Sequence, residues 1–312
     1  MHVLVTGGAG FIGSHTTRAL LERSAAVRIL DDFSSGRPEN LSGLPVEIIT
    51  GSIVDANTVQ RATQGVTHVI HLAAEVSVPR SIADPLRMHA VNVTGTLNVL
   101  LAAAQAGARR VVLASSCAVY GDAPAGAQHE ALRPQPLSPY GVSKLAAELY
   151  GAAWYTVHAL ETVALRYFNV FGPRQDPRSE YAAVIPKFIT AVLNGRRPVI
   201  YGDGEQTRDF TYVENVVRGN LLALEAPGAA GQVFNIATGG EISLNHLARA
   251  LGDIMGQPIE PEYAPVRKGD IRHSTADISR AGELMGYEPV VDFREGLRRT
   301  LEWYTHHPEA AQ

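Results

Sequence analysis

A run of apolar residues followed at once by a cluster of glycines restricts what this chain can fold into. Val3, Leu4 and Val5 are contiguous and apolar, the pattern of a strand that is buried on both faces of a parallel sheet. Glycines follow at positions 7, 8, 10 and 13, and apolar residues then recur at helical spacing from residue 11 onward. The sequence therefore predicts a strand over 2–6, a glycine turn and a helix over 11–23.

The glycine turn between this strand and this helix predicts a dinucleotide site. Backbone N–H groups at a helix N-terminus face a pyrophosphate, and glycines let the phosphates approach. A second predicted strand, over 26–30, ends in Asp31 and Asp32, about 20 residues further on, where an acid binds the ribose hydroxyls. An acid there disfavours a 2′-phosphate, so we expect NAD rather than NADP. The alternative is an ordinary glycine turn followed by two solvated aspartates.

Strands and helices alternate along the first half of the chain, which predicts an α/β fold with a doubly wound parallel sheet. Further strands are predicted over 46–50, 67–72, 110–115 and 162–167, and further helices over 56–63, 91–107 and 140–158. After Arg166 the chain becomes rich in turns and short strands, and helices follow over about 243–256, 277–285 and 293–305. We expect a NAD-binding domain of residues 1–168 plus about 214–238, and a smaller α/β substrate domain of about 169–213 plus 239–312.

Tyr140 and Lys144, in the run SPYGVSKLAAELY, predict an acid/base pair. Four residues apart on a helix, the phenol and the ammonium project from one face, and the cation is expected to lower the pKa of the phenol toward working pH. Ser115 or Ser116, at the end of the preceding strand, can supply a hydroxyl to the same place. Such a set prepares an alcohol carbon for losing a hydride to a nicotinamide.

Composition narrows the classes of function. The 312 residues are 46% apolar, which is enough for a large core, and the formal charge of -4 comes without a basic run that would indicate nucleic acid or anionic lipid. Cys117 is the only cysteine, which excludes an internal disulfide, and the eleven histidines are scattered, so we expect no metal site. With no signal peptide or apolar spanning stretch in the sequence, we expect a cytoplasmic protein.

Eight motifs follow one another over nearly the whole chain: TGGAGFIG, HLAA, NVTGTLNVL, SSCAVYG, YGVSK, RYFNVFGPR, GDGEQTRDFTYV and RKGDIRHSTAD. In this order they resemble the extended short-chain dehydrogenase/reductase superfamily, and most of all its nucleotide-sugar 4-epimerases. The resemblance implies a reaction in which bound NAD takes a hydride from C4 of the sugar, the 4-keto intermediate turns over in the site, and the hydride returns to its other face.

The resemblance also implies roles for individual residues. Tyr140 is implied as the base, Lys144 as its partner and nicotinamide-ribose ligand, and Ser116 as the third hydrogen-bonding member. The implied cofactor-binding residues are Gly7, Gly10, Phe11, Ile12, Gly13, Asp31, Asp32, Ser52, Ile53, Leu72, Ala73, Ala74, Asn92, Ser115, Tyr140, Lys144 and Tyr167. The implied substrate-binding residues are Ser77, Val78, Ser116, Cys117, Tyr140, Asn169, Val184, Ile185, Lys187, Phe188, Tyr201, Arg208, Arg267, Asp270 and Ser274.

Among these residues, Arg208 and Arg267 match arginines that bind a pyrophosphate. Each guanidinium offers a planar fork of donors to phosphate oxygens. The alternative for the two arginines is ion pairs with Asp209 and Asp270 at the surface.

Departures from the family pattern help to separate sibling reactions. Dehydratases of the superfamily place Asp-Glu where this chain has Cys117 and Ala118, and decarboxylases keep a Glu at the second position. Ala118 cannot transfer a proton, so only Cys117 could serve an elimination; its other interpretation is a small core residue. Ser52 stands at a position where relatives often have an Asp that binds the adenine amino group. Loss of that hydrogen bond would weaken cofactor binding by about 1 kcal/mol.

Ser274 bears on the size of the sugar. It aligns with a position beside the sugar's C2 substituent, where glucose-restricted relatives have Tyr and relatives that accept N-acetylated sugars have a small residue. A small side chain leaves space for an acetamido group that a phenol ring would exclude. The alternative is a turn residue before a helix.

Together these observations predict a homodimeric, NAD-dependent UDP-hexose 4-epimerase that accepts UDP-N-acetylglucosamine/galactosamine and UDP-glucose/galactose. The dimer would join the helices at about 91–107 and 140–158 as a four-helix bundle. The alternatives are a UDP-glucuronate 4-epimerase, a dehydratase that uses Cys117, or a dinucleotide sensor that has lost the chemistry.

Overall fold

A computed structural model describes residues 1–122, 126–177, 184–266 and 271–311 of the chain. Its strands are β1 (His2–Thr6), β2 (Ala26–Asp31), β3 (Glu47–Thr50), β4 (His68–His71), β5 (Arg110–Ser116), β6 (Glu161–Tyr167), β7 (Val170–Phe171), β8 (Val199–Tyr201), β9 (Thr207–Arg208), β10 (Thr211–Tyr212), β11 (Gln232–Ile236), β12 (Ile242–Ser243), β13 (Glu262–Ala264) and β14 (His273–Ser274). Seven of them form the central parallel sheet, in the order β11-β6-β5-β4-β1-β2-β3. The order reverses between β1 and β4, which is where ligands bind at the carboxyl edge of such sheets.

Helices cover both faces of this sheet. The α-helices are α1 (Phe11–Glu22), α2 (Ala56–Thr63), α3 (Val78–Ala83), α4 (Pro85–His89), α5 (Gly95–Gln105), α6 (Pro139–His158), α7 (Val184–Leu193), α8 (Val213–Glu225), α9 (Leu244–Met255), α10 (Ser279–Met285), α11 (Phe293–His306) and α12 (Pro308–Ala311). A π-helical turn, Ala90–Thr94, joins α4 to α5.

The alternation of side chains along β1 explains its contiguous apolar sequence. Val3 and Val5 pack into one apolar cluster together with Leu20 of α1. Leu4, between them, packs into a second cluster with Val59 of α2. Successive residues of a strand point to opposite faces of the sheet. When both faces are covered, consecutive positions all point into apolar surroundings, and consecutive residues are therefore apolar.

Beyond the central sheet, the second half of the chain forms three small sheets. In them β10 pairs with β7, β13 pairs with β8, and β9 lies between β12 and β14. The pairing of β14 with β9 is parallel and sets Ser274 opposite Arg208. Through these short pairings, segments of the second half that are far apart in sequence lie side by side.

The predicted α/β fold with a doubly wound parallel sheet is confirmed. The six predicted strands and the helices of the first half lie within a few residues of their observed bounds, and the helices over about 243–256, 277–285 and 293–305 also form. The sequence analysis missed the seventh strand, β11, and the helices α3, α4, α7 and α8. The sequence analysis expected turns and short strands after Arg166, which was wrong over Val213–Glu225, because these residues form α8. The division into two domains stays a prediction.

Candidate active site

The glycine turn is closely packed, and two of its glycines have no room for a side chain. Gly7 has a φ of +70°, and a Cβ on it would lie 2.7 Å from the backbone N of Ala73. A Cβ on Gly13 would lie 2.1 Å from the carbonyl oxygen of Gly7. Gly10 is the N-cap of α1 and has no side chain to cover the first-turn N–H groups of the helix. Phe11 and Ile12 form that first turn, so the turn presents backbone donors as a phosphate site requires.

Asp31, at the end of β2, is the acid that adjoins this turn. Its carboxylate accepts hydrogen bonds from the N–H groups of Ala9 and Phe33, both at 2.9 Å. Burial raises the pKa of Asp31, and the two N–H donors oppose that shift. The exposed Asp32 instead accepts from the backbone N–H of Ser34 at 3.0 Å. The structure therefore distinguishes the two predicted acids, with Asp31 beside the glycines and Asp32 in solvent.

Tyr140 and Lys144 lie in the first two turns of α6, which begins at a well-capped N-terminus. The Ser138 hydroxyl accepts from the N–H of Gly141 at 3.1 Å, and Pro139 occupies the first helical position. The Ser116 hydroxyl lies close to the phenol of Tyr140 and acts to lower its pKa. Lys144 lies with its Nζ 5.9 Å from the centre of the Tyr140 ring, and donates to the carbonyl oxygen of Ala114 at 3.0 Å. The three predicted catalytic residues are thus brought together at the end of β5.

The expectation that Lys144 lowers the pKa of the Tyr140 phenol was wrong for the protein without its cofactor. Burial raises the pKa of Tyr140 to about 12, and the nearby Ser116 hydroxyl only partly opposes this shift. Burial also lowers the pKa of the Lys144 ammonium to about 8. The phenol keeps some accessible surface, but protein atoms surround it. Desolvation therefore outweighs the attraction between the two groups, because the ammonium points to a backbone carbonyl rather than to the phenol oxygen.

Ser115 is not the hydroxyl of this site. It donates a hydrogen bond to the carboxylate of Glu148, two helical turns after Tyr140 on α6. Glu148 also accepts from Arg166 of β6, from Nε at 2.9 Å and from Nη2 at 2.7 Å. This buried ion pair fixes α6 against β5 and β6. Of the two serines that the sequence offered, the geometry selects Ser116.

Predicted substrate residues from four separate segments meet at Cys117, immediately after Ser116. Its thiol lies near the hydroxyls of Ser116 and Ser274, the backbone N–H of Asn169 and the guanidinium of Arg208, all of which act to lower its pKa. Burial raises the pKa of the Cys117 thiol against the influence of Arg208 and of these hydroxyl and N–H groups. The thiol therefore stays protonated near neutral pH.

Asn169 carries two signs of a ligand site. Its φ of +24° lies in the region that non-glycine residues seldom adopt, at a cost of about 1–3 kcal/mol that functional sites tolerate. Its Nδ2 is buried without a hydrogen-bond partner in the part of the chain that the structure describes. A buried donor of this kind is costly unless something accepts from it.

Arg208 lies in β9 and donates to the carbonyl oxygens of Thr207 at 2.7 Å and Arg272 at 3.3 Å. The neighbouring carboxylate of Asp209 accepts from the N–H groups of Thr238 and Gly239, each at 2.9 Å. Asp209 therefore serves to hold the loop after β11. The predicted residues Arg267 and Asp270 lie outside the described residues.

The other predicted cofactor residues lie around the same edge of the sheet. Leu72, Ala73 and Ala74 follow β4 directly, and Ser52 and Ile53 follow β3. Asn92 is buried in the π-helical turn. Tyr167 is buried at the end of β6, and its hydroxyl donates to Oδ1 of Asn220 at 2.6 Å.

The other predicted substrate residues differ in their burial and in their position in the fold. Ser77 caps α3 and accepts from the N–H of Arg80 at 3.1 Å, and Val78 beside it is exposed. Val184, Ile185, Lys187 and Phe188 lie in the first turns of α7. Ile185 and Phe188 belong to the main apolar cluster, so their side chains help to hold α7 in place. Tyr201 is half-buried at the end of β8.

Comparison with known proteins agrees with this geometry. Residues 3–237 match the model of the "NAD dependent epimerase/dehydratase family". The chain belongs to this family. It is 42% identical over 310 residues to a UDP-glucose 4-epimerase of Mycolicibacterium smegmatis, covering 97% of this chain and 98% of the relative. Its fold is similar to that of a UDP-N-acetylglucosamine 4-epimerase from Methanobrevibacter ruminantium, solved with UDP-N-acetylmuramic acid (TM-score 0.94, 42% identity, 98% of both chains). It is also similar to a UDP-glucose 4-epimerase of Thermus thermophilus solved with NAD (TM-score 0.90, 37% identity, 98% of this chain and 99% of the other).

NAD is the cofactor of this family, and the residues present fit it. The tight glycine turn, the bare first turn of α1 and the adjoining Asp31 form a cradle for a dinucleotide at the point where the strand order reverses. Within the described ranges, no three His, Cys, Asp or Glu side chains are grouped so that they could hold a metal ion. In the same ranges, none of the helices has the length and apolar character needed to cross a bilayer.

Two features of the site were not found from the sequence. Glu148 lies at the spacing of one further helical turn after Tyr140 and Lys144, and this spacing could have indicated its contact with β5 and β6. The polar contacts of His71 with Thr6 and Thr96 join three segments far apart in sequence, and no local pattern indicates them.

Proposed function

We propose that the protein is a UDP-hexose 4-epimerase that acts by transient oxidation at C4 of the sugar. The observation that carries the proposal is the grouping of Ser116, Tyr140 and Lys144 at the end of β5, together with Ala118 at the position where an eliminating enzyme needs an acid. The arrangement serves removal and return of a hydride at one carbon. Ala118 offers no carboxylic acid for expelling a neighbouring hydroxyl.

Tyr140 and Ser116 carry out the proton transfer. NAD, held by the glycine turn and Asp31, would supply the acceptor and the donor of the hydride at C4. Tyr140 removes the proton of the C4 hydroxyl as the carbonyl forms, and returns it when the carbonyl is reduced from the other face. Ser116 donates to the phenol oxygen and so stabilises its charged form. Because burial raises the pKa of Tyr140, its phenolate is a strong base once it has formed.

The nucleoside diphosphate would be held on the other side of Cys117. Asn169 brings a buried donor that has no partner among the described residues, and Arg208 brings a guanidinium near the same thiol. Both groups suit phosphate oxygens. The proposed contacts of α7, Tyr201, Arg267 and Asp270 complete the UDP site.

Ser274 supports acceptance of sugars with an acetamido group at C2. Its side chain is small, and its hydroxyl contacts Cys117 next to Ser116. We therefore propose UDP-N-acetylglucosamine/galactosamine as substrates along with UDP-glucose/galactose. A pocket that admits the larger sugar does not thereby reject the smaller one.

We also propose that the chain works as a homodimer through α5 and α6, and that it does so in the cytoplasm. The two helices leave apolar side chains exposed, namely Leu101, Val142, Leu149 and Tyr150, at 46%, 54%, 63% and 37% exposure. Exposed apolar surface that is shared by neighbouring helices is typical of an interface. Light scattering of the wild type and of Leu149→Glu tests this point, and a monomeric wild type would contradict it.

The function itself is tested by incubating purified protein with UDP-glucose, UDP-N-acetylglucosamine, UDP-glucuronate and dTDP-glucose. We expect C4 epimers of unchanged mass from the first two, and Cys117→Ser should keep most of the activity. A product lighter by one water, lost in Cys117→Ser, would make the protein a dehydratase. Turnover of UDP-glucuronate alone would make it the glucuronate epimerase.

A further inference from the structure

His71, the last residue of β4, lies buried between two threonines from different segments. Its Nδ1 is 2.7 Å from Oγ1 of Thr6, at the end of β1. Its Nε2 is 3.0 Å from Oγ1 of Thr96, in the first turn of α5. Neither the fold family's glycine turn nor the proposed proton transfer requires a histidine here.

The hydrogen atoms at this position can be assigned one by one. Thr96 has a single hydroxyl hydrogen and gives it to the carbonyl oxygen of Asn92 at 2.6 Å. The imidazole Nε2 must therefore carry a hydrogen and donate to Thr96. Thr6 accepts from the N–H of Ala73 at 3.2 Å, and its own hydroxyl hydrogen is then available for Nδ1 of His71.

A neutral ring is the form that satisfies every partner. Burial lowers the pKa of His71 to about 3, and the charge of Lys144 acts in the same direction. A second ring hydrogen, on Nδ1, would leave the hydroxyl hydrogen of Thr6 without an acceptor. The other neutral tautomer carries its hydrogen on Nδ1. It would place the lone pair of Nε2 opposite Oγ1 of Thr96, whose hydrogen is already donated to the carbonyl oxygen of Asn92.

On one side, the contacts of His71 reach the glycine turn. Thr6 precedes Gly7, and the N–H of Ala73 that Thr6 accepts is the atom against which Gly7 packs. A shift of Ala73 would therefore move the backbone that receives the dinucleotide.

On the other side, the contacts reach the catalytic helix. Asn92, whose carbonyl accepts from Thr96, donates from Nδ2 to the hydroxyl of Ser143 at 2.9 Å. Ser143 in turn donates to the carbonyl oxygen of Tyr140 at 2.7 Å. The π-helical turn that carries Asn92 makes this contact possible, and such turns are frequent at functional sites.

We propose that His71 is a positioning residue which, as the neutral Nε2–H tautomer, holds the glycine turn and the catalytic helix at one fixed spacing. Its Nδ1 side fixes Thr6 and Ala73 for the cofactor. Its Nε2 side fixes Thr96, Asn92 and, through Ser143, Tyr140 for the proton transfer. The inference rests on the proposed function only for the second of these effects.

Two substitutions separate the two sides of the ring. His71→Asn places an amide oxygen near the position of Nδ1 and keeps an acceptor for Thr6, but its side chain does not extend to Thr96. His71→Gln extends an amide N–H toward Thr96 but gives up the acceptor at Nδ1. The matched control is His68→Gln in the same strand, because His68 is also buried but contacts its neighbour Thr67 instead of the site.

The measurements are the affinity of cofactor-depleted protein for NAD, by calorimetry, and kcat and KM of the loaded protein. For His71→Gln we expect the Kd for NAD to rise about tenfold with little change in kcat, the scale of one lost hydrogen bond. For His71→Asn we expect kcat to fall about tenfold with little change in the Kd for NAD or in KM. His68→Gln should change neither.

If the role of His71 were merely structural, both variants would show weaker NAD binding and a lower kcat together. That result would overturn the proposal. If either variant fails to fold, Thr6→Val and Thr96→Val replace it, and should give the cofactor effect and the kcat effect respectively. A third readout is the ring nitrogen signals of ¹⁵N-histidine protein, assigned by their loss in His71→Gln. They should show hydrogen on Nε2 alone from about pH 5 to about pH 9, a range that spans the ordinary pKa of histidine.

A hydrogen on Nδ1 at neutral pH would refute the assignment of the ring. Neither the NAD titration nor the nitrogen signals depend on which sugar is turned over, so failure of the proposed function and failure of this inference can be told apart.

Discussion

The ion pair between Glu148 and Arg166 allows a quantitative prediction for Glu148→Gln. Both side chains are 4% exposed, and the two bonds at 2.9 Å and 2.7 Å make the pair bidentate. The guanidinium also lies over the ring of Tyr120, with its central carbon 4.6 Å from the ring centre. Glutamine has the same shape, but its amide N–H₂ would face a donor of Arg166 and leave a cation buried without its counter-charge.

We expect the free energy of unfolding to fall by about 3–5 kcal/mol, the usual loss when one partner of a buried pair is removed. Against a typical total of about 5–15 kcal/mol this is a large share. Urea titration followed by circular dichroism measures it. The control is Glu295→Gln, whose carboxylate bonds Arg298 and Arg299 at the surface of α11 and should leave the midpoint nearly unchanged.

Arg166→Met added to Glu148→Gln should recover part of the lost stability, because the unpaired buried cation is then gone. Equal midpoints for Glu148→Gln and Glu295→Gln would refute the reasoning. So would a double variant that is less stable than Glu148→Gln alone.

Three further predictions concern the site. Tyr140→Phe should lower kcat by at least about 100-fold while NAD stays bound, the scale of a positioned general base; turnover like that of the wild type would end the assignment. Ser274→Tyr should lower kcat/KM for the acetamido sugar relative to UDP-glucose by roughly 10- to 100-fold, because overpacking costs about 1–3 kcal/mol. If it lowers both constants equally, Ser274 supports the fold and does not select the sugar. Because the pKa of Lys144 is lowered to about 8, the unfolded chain holds its proton to higher pH than the folded one. Between about pH 8 and about pH 10.5, cofactor-free wild type should therefore gain roughly 1 kcal/mol of stability per pH unit relative to Lys144→Met, and parallel pH curves in denaturant titrations would contradict this.

Local patterns in the sequence were enough for the six strands and for the helices α1, α2, α5 and α6 of the first half, but not for the short helices α3 and α4. Burial of β1 on both faces is visible in its sequence, because Val3, Leu4 and Val5 all point into the core and are all apolar. The glycine turn is equally readable, because Gly7 and Gly13 lie where any side chain would collide with the backbone.

What the sequence could not provide depends on long-range contacts. β11 is short, and its place in the sheet comes from pairing with β6. The choice between Ser115 and Ser116 depended on Glu148, 33 residues beyond Ser115. The basicity of Tyr140 depended on how deeply it is enclosed and on where the ammonium of Lys144 points. Spacing along a helix gives neither quantity.

The edge position of β11 has a consequence for the order in which the chain can fold during synthesis. β6 ends at Tyr167, but the strand that covers its outer side is complete only at Ile236. At about 5–20 residues per second the ribosome needs several seconds to add that segment. During this interval β6 is an unpaired edge, open to strands of other nascent chains. A chain cut after the sixth strand would keep that edge permanently, so we expect it to aggregate even though its glycine turn and catalytic helix are present.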